Sequence, residues 1–227
     1  MARALAELID AVLPTTCICC GTLGPHICLD CRPRFVFSNH SVQREQLSGV
    51  AAIHLDEPAR QLLAALKDQG RTAALGEVVT PLVAAIRHGF ERNLAPGSSL
   101  GLPRLVAIPT SKRSRRKRGF DLSAMLVRRA ARQLGVEVDF GLRYSRQPLD
   151  QRRLDQNQRQ TNLEGSMRFT LSAGGAPLIL IDDVVTTGAT LREAARAIEA
   201  VGGNLLGFGV FAETRLRRDS PETMCEK

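Results

Sequence analysis

The chain has 227 residues, 44% of them hydrophobic, with no tryptophan and a formal charge of +8. That length suits one large domain, or one domain with a small appendage, around a core of Ala, Leu, Val and Ile. No apolar run is long enough to span a bilayer, and the arginine-dominated charge calls for phosphate or other anionic partners.

In chain order, "MARALAELIDAVLP" reads as an amphipathic helix over residues 1–14, ending at Pro14. Glu7 and Asp10 interrupt its apolar part and argue against a signal peptide. A cytoplasmic protein is therefore expected, and its six cysteines read as thiols or metal ligands rather than disulfides. Residues 15–33 carry two C-x-x-C pairs, Cys17 with Cys20 and Cys28 with Cys31. Each pair can place two thiolates on one tetrahedral ion, which predicts structural Zn2+ in a small zinc-ribbon-like segment. Metal would supply folding energy that so short a segment cannot draw from a core of its own. Cys19 and His26 stand by as substitute ligands.

An α/β pattern follows. "GVAAIHL" reads as a strand and "EPARQLLAALKDQG" as a helix, with Pro58 tolerated in its first turn and Gly70 as its stop. "AALGEVVTPLVAAIRHGF" is helical, with Pro81 expected to bend or interrupt it. "RLVAIP" is a short buried strand, "DLSAMLVRRAARQLG" an amphipathic helix and "VEVDFGLRYS" extended. "PLILID" is a strand, "TLREAARAIEAVG" a helix and "NLLGFGVFAE" a final strand. The alternation predicts an α/β domain over residues 48–216, a mostly parallel sheet flanked by helices. Residues 217–227 read as a frayed tail.

The run "LILIDDVVTTGAT", Leu178 to Thr190, places Asp182 and Asp183 at the C-terminal end of a fully apolar strand, where open α/β sheets bind ligands. Thr186, Thr187, Gly188, Ala189 and Thr190 then turn into a helix N-terminus, whose free amides and positive dipole end suit a phosphate. Carboxylates for vicinal hydroxyls beside an anion nest fit a sugar phosphate. A plain helix cap needs one Asp or Thr, not two acids followed by Thr-Thr-Gly-Ala-Thr.

"KRSRRKRGF" puts six basic residues among the seven from Lys112 to Arg118. It follows the strand "RLVAIP", so this loop also emerges at the ligand edge. Pyrophosphate with its magnesium needs several donors in a fixed fork, and a nucleic-acid patch is the other reading. The polar stretch "QPLDQRRLDQNQRQTNLEGSM" is too long for an ordinary connection; it reads as a lid anchored by Leu149, Leu154 and Leu163, or else as a linker.

Residues 178–190 resemble the complete phosphoribosyl pyrophosphate (PRPP) motif of type I phosphoribosyltransferases. That resemblance implies that Asp182 and Asp183 hold the ribose hydroxyls and that Thr186, Thr187, Gly188, Ala189 and Thr190 hold the 5′-phosphate. It implies Mg2+ bound with PRPP, and pyrophosphate contacts from Lys112, Arg115, Arg116, Arg118 and Gly119.

With the cysteine segment in front, the chain resembles the ComF family over nearly its whole length. The family pattern carries over to Lys67, to Arg118-Gly119-Phe120, and to Gln151, Arg159 and Asn162 of the lid. Two departures concern the acceptor pocket. Asp121-Leu122 stand where the family usually has Asn-Gln, and Asp68 stands in place of an aromatic. The resemblance implies phosphoribosyl transfer to an acceptor that the sequence does not identify. Family links to DNA uptake offer an alternative, an accessory protein that binds single-stranded DNA and keeps the PRPP fold.

Overall fold

A computed structural model describes residues 15–38, 40–95, 97, 101–146, 163–170 and 175–215. The 1–14 helix, the lid residues Gln151, Arg159 and Asn162, and the 217–227 tail lie outside the described residues.

The main sheet has six strands in the order β1-β2-β8-β7-β3-β4. These are β1 (His40–Arg44), β2 (Leu47–His54), β3 (Arg104–Ala107), β4 (Val138–Asp139), β7 (Leu178–Val185) and β8 (Leu205–Glu213). All neighbours are parallel except β1 and β2, which are antiparallel. The sheet thus begins at His40, upstream of residue 48. A short antiparallel ribbon, β5 (Leu142–Tyr144) with β6 (Met167–Phe169), stands apart. The stretch expected as one extended segment divides at Gly141 into β4 and β5. A Cβ there would lie 2.3 Å from the Thr170 carbonyl oxygen, so only glycine lets the chain pass.

Burial alternates along the central strands as period two requires. Leu105, Ala107, Ile179 and Ile181 face one core with Leu62, Leu82, Ile86, Leu126 and Val127. Those partners come from α1 (Glu57–Asp68), α2 (Gly76–Gly89) and α5 (Leu122–Leu134). Val106, Ile108, Leu178 and Leu180 face the other core with Leu191, Ala194 and Ile198 of α6 (Ala189–Glu199) and with Leu142 and Phe169 of the ribbon. Asp56 caps α1 through the Ala59 N–H at 3.0 Å, and Asp121 caps α5 through the Ala124 N–H at 3.1 Å.

Pro81, expected to bend or interrupt the helix, lies inside α2 without breaking it. The helix buries Val78, Val79, Leu82, Val83, Ala85 and Ile86. At roughly 1.5–3 kcal/mol per large buried side chain, that face outweighs the ~3 kcal/mol cost of an internal proline. A short α3 (Glu91–Leu94) follows. The basic stretch expected as a loop is also helical, α4 (Lys112–Arg118). Ser111 caps it through the Ser114 N–H at 3.1 Å, Gly119 ends it in the left-handed region at φ 77°, and Arg and Lys are good helix formers.

The cysteine segment joins the main core. Ile27 is fully buried, and Phe35 of the 3-10 turn Arg32–Phe35 stacks on Phe211 of β8 at 6.4 Å between ring centroids. Arg71 clasps the segment through the Thr16 carbonyl and His26 Nδ1. No helix among the described residues is long and apolar enough to cross a membrane.

Candidate functional site

The chain leaves β3 through α5 toward β4, and leaves β7 through α6 toward β8, on opposite sides. The C-terminal ends of β3 and β7 therefore form a topological switch point, where an open α/β sheet leaves a crevice.

The turn expected to hold a phosphate forms one wall. Gly188 is the N-cap of α6 with φ 82°, and a Cβ on it would meet Arg44 Cβ at 2.8 Å. Only glycine suits both the dihedral and the close approach. Thr186, Thr187, Gly188, Ala189 and Thr190 line a cavity of about 180 Å3 together with Asp182 and Leu163. Arg44, itself buried, holds the turn from behind. Its Nε donates to the Thr186 carbonyl at 2.9 Å, and Nη2 donates to Glu213 Oε2 at 3.0 Å and the Thr214 carbonyl at 2.8 Å.

The strand expected to end at the aspartates runs on past them, so Asp182 and Asp183 both lie within β7. β7 runs on to Val185 because β8 reaches Glu213 and keeps supplying ladder partners, Asp182 opposite Val210 and Val185 opposite Glu213. The two carboxylates stand close enough to interact directly. Asp182 Oδ1 accepts the Asp183 N–H at 2.8 Å, while Asp183 Oδ2 pairs with the Lys67 ammonium at the end of α1. Burial and the Asp183 charge push the Asp182 carboxyl well above the usual carboxylate range. Burial also acts on Asp183, but Lys67 outweighs it and holds that carboxyl below its usual value. The two acids are thus electrostatically unlike. Burial, then the Asp182 charge, pushes the Tyr144 phenol up to about 12.

A second, larger cavity of about 750 Å3 opens beneath α4. Its walls include Lys67, Tyr144, Asp182, Asp183 and Thr190, with Lys112, Arg116 and Arg118 of the basic stretch. Arg115 and Gly119 do not line it. Asp182 and Thr190 belong to both cavities, so the two form one continuous site. Its size falls within the ~300–1,000 Å3 of ligand pockets.

Three residues here escaped the sequence reading: Arg44, Glu213 and Tyr144. Arg44 sits in a charged surface-like stretch, and its role depends on a partner 169 residues away. Tyr144, the chain's one tyrosine, gave only a compositional hint.

The cysteines meet as the spacing requires. One ligand atom from each of Cys17, Cys20, Cys28 and Cys31 lies within 4.8 Å of the others, a grouping able to hold a metal ion. Neither Cys19 nor His26 belongs to that group. The Cys28 N–H points at Cys17 Sγ at 3.4 Å. Burial pushes the Cys17 thiol up, but backbone N–H groups led by that of Cys28 outweigh it and bring it down to about 6.

Comparison with known proteins agrees with this architecture. Residues 121–227 match the family described as phosphoribosyl transferase domain. The chain is 35% identical over 104 residues to the DNA utilization protein YhgH of Salmonella typhi, covering 44% of this chain and 46% of that one. It is 33% identical over 103 residues to the DNA utilization protein YhgH of Escherichia coli strain K12, covering 44% and 45%. The chain thus spans less than half the length of the curated relatives it matches. A phosphoribosyl transferase domain match over residues 121–227, behind a four-cysteine cluster able to hold a metal ion, is similar to the plan of the ComF family that the sequence resembles.

Proposed function

We propose that the chain binds PRPP with Mg2+ and transfers its phosphoribosyl group to an acceptor. The observation that carries this reading is the position of Asp182 and Thr190 on both cavities. A phosphate seated on the Thr186–Thr190 turn then leaves its ribose beside the aspartates and its pyrophosphate toward Lys112, Arg116 and Arg118. Asp182 and Asp183 accept the ribose hydroxyls, with the ionised Asp183 the stronger acceptor. The acceptor's nucleophilic atom bonds to ribose C1 as the C1–O bond to pyrophosphate breaks, and the arginines take up the charge of the leaving group.

Mg2+ takes oxygen ligands and keeps several of its waters. Among the described residues the larger cavity offers carboxylates from Asp68, Asp182 and Asp183, and PRPP oxygens and water would complete the shell. Bound there, it neutralises pyrophosphate charge. At the other end of the chain, four thiolates suit tetrahedral Zn2+ in a closed structural site.

The relatives' name, DNA utilization protein, favours a second reading. Arg115 is exposed on α4 and does not line the cavity, leaving a basic surface available to single-stranded DNA. Separate calorimetric titrations with PRPP–Mg2+ and with single-stranded DNA distinguish the two. The first reading expects PRPP binding that Asp183→Asn weakens. Tight, strongly salt-dependent DNA binding without PRPP binding reverses the ranking.

A further inference from the structure

A second cluster of metal-type ligands lies behind the phosphate turn. His54 and Glu213 are register partners at the C-terminal ends of β2 and β8. The antiparallel β1 starts at that same end and sets the His40 ring beside that of His54, 3.9 Å between centroids. One ligand atom from each of His40, His54 and Glu213 lies within 4.8 Å of the other two. His54 Nδ1 is buried without a hydrogen-bond partner and lies 3.4 Å from Glu213 Oε1.

We propose that His40, His54 and Glu213 form a second metal site for a borderline divalent transition ion of the Zn2+, Ni2+ and Co2+ class. Two imidazoles and one carboxylate suit such ions, whereas Mg2+ and Ca2+ take oxygen shells. A plain histidine–glutamate ion pair explains the arrangement less well, because two rings in contact oppose protonation of both.

The surroundings already hold the ligands in place. Ser38 Oγ lies 2.8 Å from His40 Nε2, which leaves Nδ1 for an ion. Arg44 donates to Glu213 Oε2, while Oε1 faces His54 Nδ1. Such outer partners orient ligands at metal centres. Arg44 is itself held by the carbonyls of Gln43, Thr186 and Thr214, which offset its charge near a cation. Three protein ligands leave positions open to water, unlike the cysteine centre. The site stands one guanidinium away from the phosphate turn and does not depend on PRPP being the ligand there.

The test uses the full untagged chain with its cysteines loaded with zinc. Ni2+ titration is expected to add one further equivalent, and X-ray absorption at the nickel edge to show nitrogen and oxygen neighbours with imidazole scattering. His40→Gln, His54→Gln and Glu213→Gln should each weaken uptake by ~10-fold or more, at least the loss caused by removing an outer-shell partner. No uptake beyond the zinc, sulfur in the nickel shell, or unchanged affinity in folded variants overturns the proposal. Where a variant fails to fold, the absorption spectrum of the wild-type chain decides.

Discussion

Lys67 of α1 and Asp183 of β7 form an ion pair on the wall of the larger cavity, which ties a helix end to the central strand. Their side chains are 29% and 17% exposed, so water screens the pair only partly. Lys67→Met should therefore destabilise the fold by ~1–3 kcal/mol, less than the loss of a fully buried partner. At roughly 2–4 °C per kcal/mol for a chain of this size, thermal melts resolve it. In an Asp183→Asn background the same substitution should cost little, and a full effect there would show that Lys67 acts through other contacts.

Asp182 binds its proton more tightly in the folded state than in the unfolded chain, because burial and Asp183 raise its pKa. Its contribution to stability is therefore present in acid and lost as pH rises from the ordinary carboxylate range through the raised value. Asp182→Asn should melt higher than wild type at neutral pH and lose that advantage in acid. Asp183→Asn, which removes the ionised carboxylate, should weaken PRPP binding by roughly 10- to 100-fold, from ~1.5–3 kcal/mol of lost charge-assisted hydrogen bonding. Melting curves across pH and calorimetry read the two effects separately; wild-type PRPP affinity would sink the ribose assignment.

Gly188→Ala tests the phosphate turn. The left-handed conformation costs an L-residue ~1–2 kcal/mol, and the new Cβ crowds Arg44, which supports Thr186. Stability should fall by about that amount, and binding of ribose 5-phosphate should fall with it. Retained affinity for ribose 5-phosphate would place the phosphate elsewhere.

Replacing Arg116 and Arg118 together with Ala should weaken PRPP far more than ribose 5-phosphate, since both line the larger cavity. Arg115→Ala, outside that cavity, should affect PRPP less. Equal losses for the two ligands would mean that α4 acts only through its general field.

Chelating the metal of the cysteine cluster should lower the melting temperature of the whole chain, not only loosen residues 15–33. Ile27 and Phe35 belong to the core shared with α2 and β8, so releasing the segment uncovers that core. Metal analysis with less than one equivalent of zinc in a normally folded protein would sink the structural-zinc assignment.

The sequence by itself determined the roles whose causes are local. Leu178–Thr190 holds a buried strand, two acids and a helix N-terminus in one uninterrupted run, and the two C-x-x-C pairs carry their metal geometry in their spacing. The ends of α1 were equally legible, with Pro58 in its first turn and Gly70 just past its last residue. Local signals misled where tertiary burial outweighed them. Pro81 stayed inside α2, and β7 ran on through its aspartates because β8 continued beside it. Only the tertiary structure set Lys67 against Asp183, Arg44 behind the phosphate turn, and His40 and His54 beside Glu213. Those contacts join residues far apart in sequence through strand pairing, and such register is set by the burial of whole strand faces, which no short stretch of sequence encodes.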